Sequence, residues 1–249
     1  MRKDPLGGAF LLLEIQGRFA GGLYNADFPT ETLFTLEIGL SGMNDFTRKW
    51  ISQSLRRPVP LNGNLISLDD SLTEVYRDAW DWGYIRQIVF PALAVNSNNP
   101  MHLQLAMQIT NLRQVPLTPG FGTSSSQSRR KDTFWNSSLF FVKVGDVRYF
   151  VNKVNGLTVN LGPNIAGMSQ GSRDLVITTK ESAAAGFRSW KQSGDPRQVE
   201  IQYLDYSLHQ VGAMKFANVI IDHIHPAAPV NPSGDTEVTM KVGQVTFDA

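Results

Sequence analysis

Gly167-Met168-Ser169-Gln170-Gly171 spells the G-x-S-x-G elbow, in which a strained strand-to-helix turn exposes a nucleophilic serine. That elbow needs a strand before it and a helix after it. Here Asn160-Leu161-Gly162-Pro163-Asn164 precedes it, and Leu175-Val176-Ile177-Thr178, a strand pattern, follows, so Ser169 reads as part of a Gly/Ser loop. His223 and His225 stand two apart; in a strand they face one side and could begin a metal site. Asp222 would then face the opposite side, and no third ligand adjoins them. Asp69-Asp70, and Asp78 with Asp81 beside Trp80 and Trp82, offer carboxylate pairs of the kind that glycosidases use across a cleft. Neither pair has a cleft-forming context, and Asp69 sits where a strand ends, which suits a turn. Arg56-Arg57 closes a helical pattern, where cations complement the dipole. Arg129-Arg130-Lys131 lies in the linker and reads as solvated, since a nucleic-acid groove would carry more charge with aromatic residues interleaved. Asn136-Ser137-Ser138 fits a glycosylation sequon. There is no Walker A or dinucleotide fingerprint. No catalytic residue, metal ligand or cofactor is expected, and the chain reads as a non-enzyme.

The elements that would position such residues are β-rich. The chain has 249 residues, 42% hydrophobic and 18% charged, with a net charge of +1. That is enough apolar material for one large or two small cores, with no strong field to gather nucleic acid or an anionic membrane. With no cysteine, disulfides, thiol catalysis and Cys-based zinc sites are excluded. The opening Met1-Arg2-Lys3-Asp4-Pro5 leads to an apolar run, Phe10–Leu13, of only four residues, too short for a secretory leader or a membrane span. The expectation is a soluble protein made in the cytoplasm.

Residues 116–138 are rich in Pro, Gly and Ser and read as a linker or long loop between 1–115 and 139–249. The two halves read alike. Pro91-Ala92-Leu93-Ala94-Val95-Asn96, a polar turn and the alternating Leu103, Leu105, Met107, Ile109 align without a gap, at an offset of 135, with Pro226-Ala227-Ala228-Pro229-Val230-Asn231, a turn and Val238, Met240, Val242. Period-two alternation marks half-buried strands. The second copy slips after Gly243 and resumes at Val245 and Phe247, as a β-bulge would make it do. On this alignment His223 and His225 match Ile88 and Phe90, which are packing or interface positions. Upstream, Leu68-Asp69 corresponds to Leu204-Asp205. Each half also carries a helix. One starts at Asn44, a good N-cap, and runs through Phe46 and Trp50; the other runs from about Thr179 through Phe187 and Trp190 to a stop at Gly194. Phe and Trp one turn apart give each helix an aromatic stripe to pack on a sheet. Phe10–Ile15 and Leu139–Val144 open the halves as strands. The fold class expected is mainly β with a flanking helix in each of two duplicated domains. Sheets of this kind have unpaired borders, which neighbours in an oligomer can satisfy.

The first half resembles the tail tube proteins of contractile phages and phage-tail-like injection systems, a family related in fold to Hcp. The resemblance rests on Arg2-Lys3-Asp4-Pro5-Leu6 before the strand Phe10–Ile15, the helix Phe46–Leu55 with Trp50, the strand ending Ile66-Ser67-Leu68-Asp69, then Trp80, the strand through Ile85, Ile88 and Phe90, Pro91-Ala92-Leu93, and the strand Leu103–Ile109. The second half carries a weaker version, with Val154-Asn155-Gly156-Leu157 similar to the family's V-S-G-L segment.

That resemblance implies β-sandwich or small-barrel modules, six to a ring, with rings stacked into a tube through which DNA or effectors pass. An ordinary tube subunit has one module and this chain has two. Three chains could form a pseudo-hexameric ring and act as a tube initiator or baseplate-hub component between tail tube protein and spike; six chains would place the second module elsewhere. An ordinary stacked tube subunit and a two-domain β-sandwich that binds a ligand remain the alternatives. Arg2, Lys3, Asp4, Pro5 and Leu6 are the expected assembly arm, and Phe46, Trp50, Phe187 and Trp190 the expected helix-packing residues. The partners implied are self, tube and spike or hub, with no membrane.

Overall fold

The computed structural model describes residues 10–27, 32–116, 136–161, 174–227 and 234–248. Its strands, in chain order, are β1 (Phe10–Ile15), β2 (Arg18–Asp27), β3 (Leu33–Gly39), β4 (Leu61–Leu68), β5 (Glu74–Val89), β6 (Leu93–Ala94), β7 (His102–Thr110), β8 (Arg113–Gln114), β9 (Phe140–Val144), β10 (Val147–Tyr149), β11 (Lys153–Val154), β12 (Thr158–Asn160), β13 (Asp174–Lys180), β14 (Arg197–Leu204), β15 (Gln210–Pro226), β16 (Asp235–Lys241) and β17 (Gln244–Asp248). Helix α1 (Asp45–Ser54) follows β3, and α2 (Glu181–Ser193) follows β13. The protein is mainly β with one flanking helix in each of two compact units. Among the described residues, the first unit holds 10–27, 32–88 and 102–116; the second holds 89–101, 136–161, 174–227 and 234–248. Residues 89–101, which lie within the first half of the sequence, thus pack with the second unit.

In the first unit the strands run β5-β4-β1-β2-β3-β7, and β7 returns to β5, closing a six-stranded barrel. The period-two pattern dictates its lining. On the β3–β7 ladder Leu36 faces Leu105 and Ile38 faces Leu103, and all four are buried. The β1–β2 hairpin turns on two residues, Gln16 (φ 52°) and Gly17 (φ 70°), the pair of left-handed residues that a tight hairpin requires. Helix α1 starts where Asn44 Oδ1 accepts the Thr47 amide at 2.9 Å, an N-cap that satisfies one of the helix's orphan donors. The Thr47 hydroxyl donates to the Ala20 carbonyl at 2.7 Å, pinning the helix to β2.

In the second unit the order is β10-β9-β14-β15-β16-β13-β11-β6. It repeats the first with one break: the counterpart of β2 is split into β10 and β11. β10 pairs with β9, while β11 lies between β13 and β6. Helix α2 ends at Gly194 (φ 68°), whose amide returns to the Trp190 carbonyl, the left-handed cap that glycine adopts without steric penalty.

The duplication is written in the strand register. Leu61 pairs Gly83, Gly63 pairs Trp80, Ser67 pairs Tyr76 and Leu68 pairs Glu74 on β4–β5. At a spacing of 136 (Leu68 to Leu204), Arg197 pairs Val219, Val199 pairs Phe216, Tyr203 pairs Gly212 and Leu204 pairs Gln210 on β14–β15. Both ladders break at the same two places.

Two expectations from sequence need correction. Barrel closure leaves the first unit far fewer open borders than a bare sheet would have, because β5 is 16 residues long and meets both β4 and β7. The open borders among the described residues lie at short strands that pair with one neighbour, among them β8 on β5, β17 on β15 and β10 on β9. The pattern slip after Gly243 is not an insertion in that strand. The ladder passes in one register from Ile220–Lys241 to Ala217–Gln244. The extra residue sits on β15, where the β14–β15 register shifts and Asn218 takes φ 54°. A Cβ on Gly243 would lie 2.9 Å from the Asn218 Cβ, so the glycine makes room for that bulge.

Candidate assembly surfaces

The residues with chemical potential do not converge. Ser169, Arg129-Arg130-Lys131 and the arm Arg2, Lys3, Asp4, Pro5 and Leu6 lie outside the described residues. His223 Nε2 is 3.4 Å from Asp222 Oδ2, which also takes the Lys241 ammonium at 3.1 Å. The expectation that Asp222 faces away from His223 fails because the β15–β16 register shifts between Ile221 and His223. The hydrogen bond from Lys241 holds the Asp222 carboxyl below the usual range. His225 pairs with Glu237 of β16 at 3.2 Å. Among the described residues no group of three or more His, Cys, Asp or Glu is placed to hold a metal ion.

The acidic candidates are each tied to their own partners. Asp78 is buried and accepts the Tyr76 hydroxyl at 3.0 Å. Asp81 accepts from Arg113 at 2.5 Å and from Asn111 at 3.0 Å, and those bonds lower its pKa. Asn136 of the sequon accepts the Ser138 amide at 3.0 Å, and Ser137 is buried.

The helix aromatics serve packing. Trp50 is buried and its indole donates to the Val59 carbonyl at 3.2 Å; Trp190 is buried and donates to the Asp195 carbonyl at 2.7 Å. In both units the indole ties the helix to the segment that follows it. Phe187 is buried, with the Tyr149 ring 4.4 Å away and that of Trp190 6.4 Å away. Phe46 is half-buried, with the Arg18 guanidinium 5.5 Å from its ring centre, a cation–π contact.

Asp69 and Asp205 build twin turns. Asp69 Oδ1 accepts the amides of Ser71 and Thr73 at 2.9 and 2.8 Å; Asp205 Oδ1 accepts those of Ser207 and His209 at 2.8 and 2.9 Å. The main chain closes each turn identically, with Leu72 N–H donating to Asp69 and Leu208 N–H to Asp205. Both leucines are left-handed, at φ 61° and 62°. For a residue with a Cβ this costs roughly 1–2 kcal/mol. Both are exposed, at 44% and 62%, so neither is held there by core packing. Sequence reasoning saw the two aspartates but missed these leucines. The signal was present as Leu-Asp-x-Ser-Leu-x-x-Val at 68–75 and again at 204–211.

Other exposed apolar groups include Trp82 (59%), at the bulge of β5, and Phe150 (83%), at the split between β10 and β11. The site is therefore a set of surfaces: two strained apolar turns, several short open edges and a few presented aromatics. No protein-family model matches the chain, and no curated protein matches it. No helix among the described residues is long and apolar enough to cross a membrane.

Proposed function

We propose that this chain is a structural building block, two fused tube-type β-modules that form a ring in the inner tube of a contractile tail or injection particle. It acts as a tube initiator or baseplate-hub component where tube meets spike. The observation that carries the reading is the β4–β5 ladder repeated on β14–β15 with both register breaks in place. One chain offers two equivalent modules, so three chains supply the six that a pseudo-hexameric ring needs. The ordered motif series of the first half, from Phe10 to Ile109, adds the family resemblance. The outer edges of β8 and β17 offer main-chain donors and acceptors for pairing between neighbours. Tube protein would stack on the ring, spike or hub protein would close its other end, and DNA or effectors would pass through the lumen.

A ligand-binding β-sandwich is the second reading. One observation favours it: Trp82 is exposed next in sequence to Asp81, which Asn111 and Arg113 contact. Against it, Trp50, Trp80 and Trp190 are buried and serve as core.

Negative-stain imaging with mass determination of the purified protein tests the proposal. Rings with a central hole, made of three copies, are expected. Particles without a hole at every concentration, with saturable oligosaccharide quenching of Trp82, would instead favour the binding module.

A further inference from the structure

We infer that the twin turns at Leu72 and Leu208 are contact points between copies of this chain, with the Leu72 turn of one copy packing against the Leu208 turn of another. The fold does not need leucine at either place. A left-handed residue is made at least cost by glycine or asparagine, yet both turns carry a leucine at φ 61° and 62°. Within the chain these side chains are exposed, so the turn's hydrogen bonds hold the left-handed backbone while no core packing of the leucine repays its strain. Each turn is also rigid. One aspartate oxygen takes two amides, and two main-chain bonds close the loop. A side chain that is strained, exposed and rigidly presented, twice, is built to meet something outside the chain.

The differences between the turns identify the occupant. Asp70 in the first turn stands where the second has Tyr206, and Thr73 where the second has His209. Asp70, Tyr206 and His209 are all exposed. One turn thus offers a carboxylate acceptor, the other the phenol donor of Tyr206, each beside its leucine, while the His209 imidazole lies 3.7 Å from the Asp205 carboxylate of its own turn. Packed tip to tip, the leucines exclude water from one another while the Asp70 acceptor meets the Tyr206 donor. Two Leu72 turns would instead oppose carboxylate to carboxylate, and two Leu208 turns would offer the donor no such acceptor. The contact is small and weak singly, and gains strength because each chain carries both halves of it. It runs head to tail and does not require the ring proposed above.

The chain has no native cysteine, so single-cysteine variants report cleanly. Leu72→Cys and Leu208→Cys proteins, mixed under mild oxidation, should cross-link 72 to 208 at least about tenfold more than 72 to 72 or 208 to 208. Equal yields of the three products, or none, would overturn the inference. A second arm uses Leu72→Gly with Leu208→Gly. This double variant should keep or raise its melting temperature, because glycine takes this φ freely. It should also lose at least about tenfold in self-association by sedimentation velocity. Unchanged association, or a fall in melting temperature, overturns the inference as well. Rings seen without the 72–208 cross-link would sink only this contact, and the cross-link without rings would sink only the ring reading.

Discussion

Gly63 and Trp80 face each other on the β4–β5 ladder, and a Cβ on Gly63 would come within 2.5 Å of Trp80 Cζ2. At the equivalent rung of the second unit, Val199 faces Phe216. A tiny residue against the largest one in the first module has become a medium residue against a smaller ring in the second. Close-packed interiors tolerate change when the pair's combined volume is kept.

That pairing sets a double-mutant cycle. Gly63→Val alone should cost about 3 kcal/mol or more by overpacking. Trp80→Phe alone should cost about 2 kcal/mol through lost volume and the lost indole bond to the Leu61 carbonyl. The double variant should be more stable than the sum of the two costs. Rescue is partial, since a Cβ at Gly63 would also lie 2.6 Å from the Glu14 carbonyl oxygen. Urea unfolding of all four proteins gives the coupling, and strict additivity would refute it.

Removing a turn aspartate removes the acceptor of two backbone amide hydrogen bonds at once. Asp69→Ala and Asp205→Ala should each destabilise their own unit by about 1–2 kcal/mol, with Asn in place of Asp recovering much of the loss. Denaturant midpoints measure this. An unchanged midpoint would mean that the turn's main-chain bonds suffice without the side chain.

His102 stacks on Tyr24 with ring centres 3.6 Å apart, and its Nε2 is buried with no hydrogen-bond partner among the described residues. Burial lowers its pKa from 6.5, outweighing the nearby Glu37 carboxylate, which acts the other way. The unfolded chain therefore takes up the proton first. Stability should fall as pH drops below about 6.5 and level off below the lowered folded value. His102→Phe should flatten the thermal stability profile between about pH 5 and 7; an identical slope in the variant would count against His102 as the source.

Deleting residues 2–8 should block assembly while leaving the described units folded. Circular dichroism would show native strand content, and imaging would show no rings. Rings of normal size from the truncated protein would refute a role for Arg2, Lys3, Asp4, Pro5 and Leu6 in assembly.

Local signals carried much of this fold in the sequence itself. Strand β1 runs over Phe10–Ile15 as its apolar run indicates, α1 begins at the Asn44 cap, α2 stops at Gly194, and Asp69 and Asp205 close turns. Each of these depends on residues a few positions apart, through side-chain periodicity, capping or a turn hydrogen bond. What depends on partners distant in sequence was decided only in the tertiary structure. Closure of the first barrel needs β5 to meet both β4 and β7, and no local pattern states that. The segment 89–101 joins the second unit because Leu93–Ala94 pair with Lys153–Val154 and Phe90 bonds to Leu157. Asp222 comes beside His223 through a register shift that exists only between paired strands. Even the left-handed leucines, spelled twice in the sequence, acquire meaning only once burial shows both facing solvent.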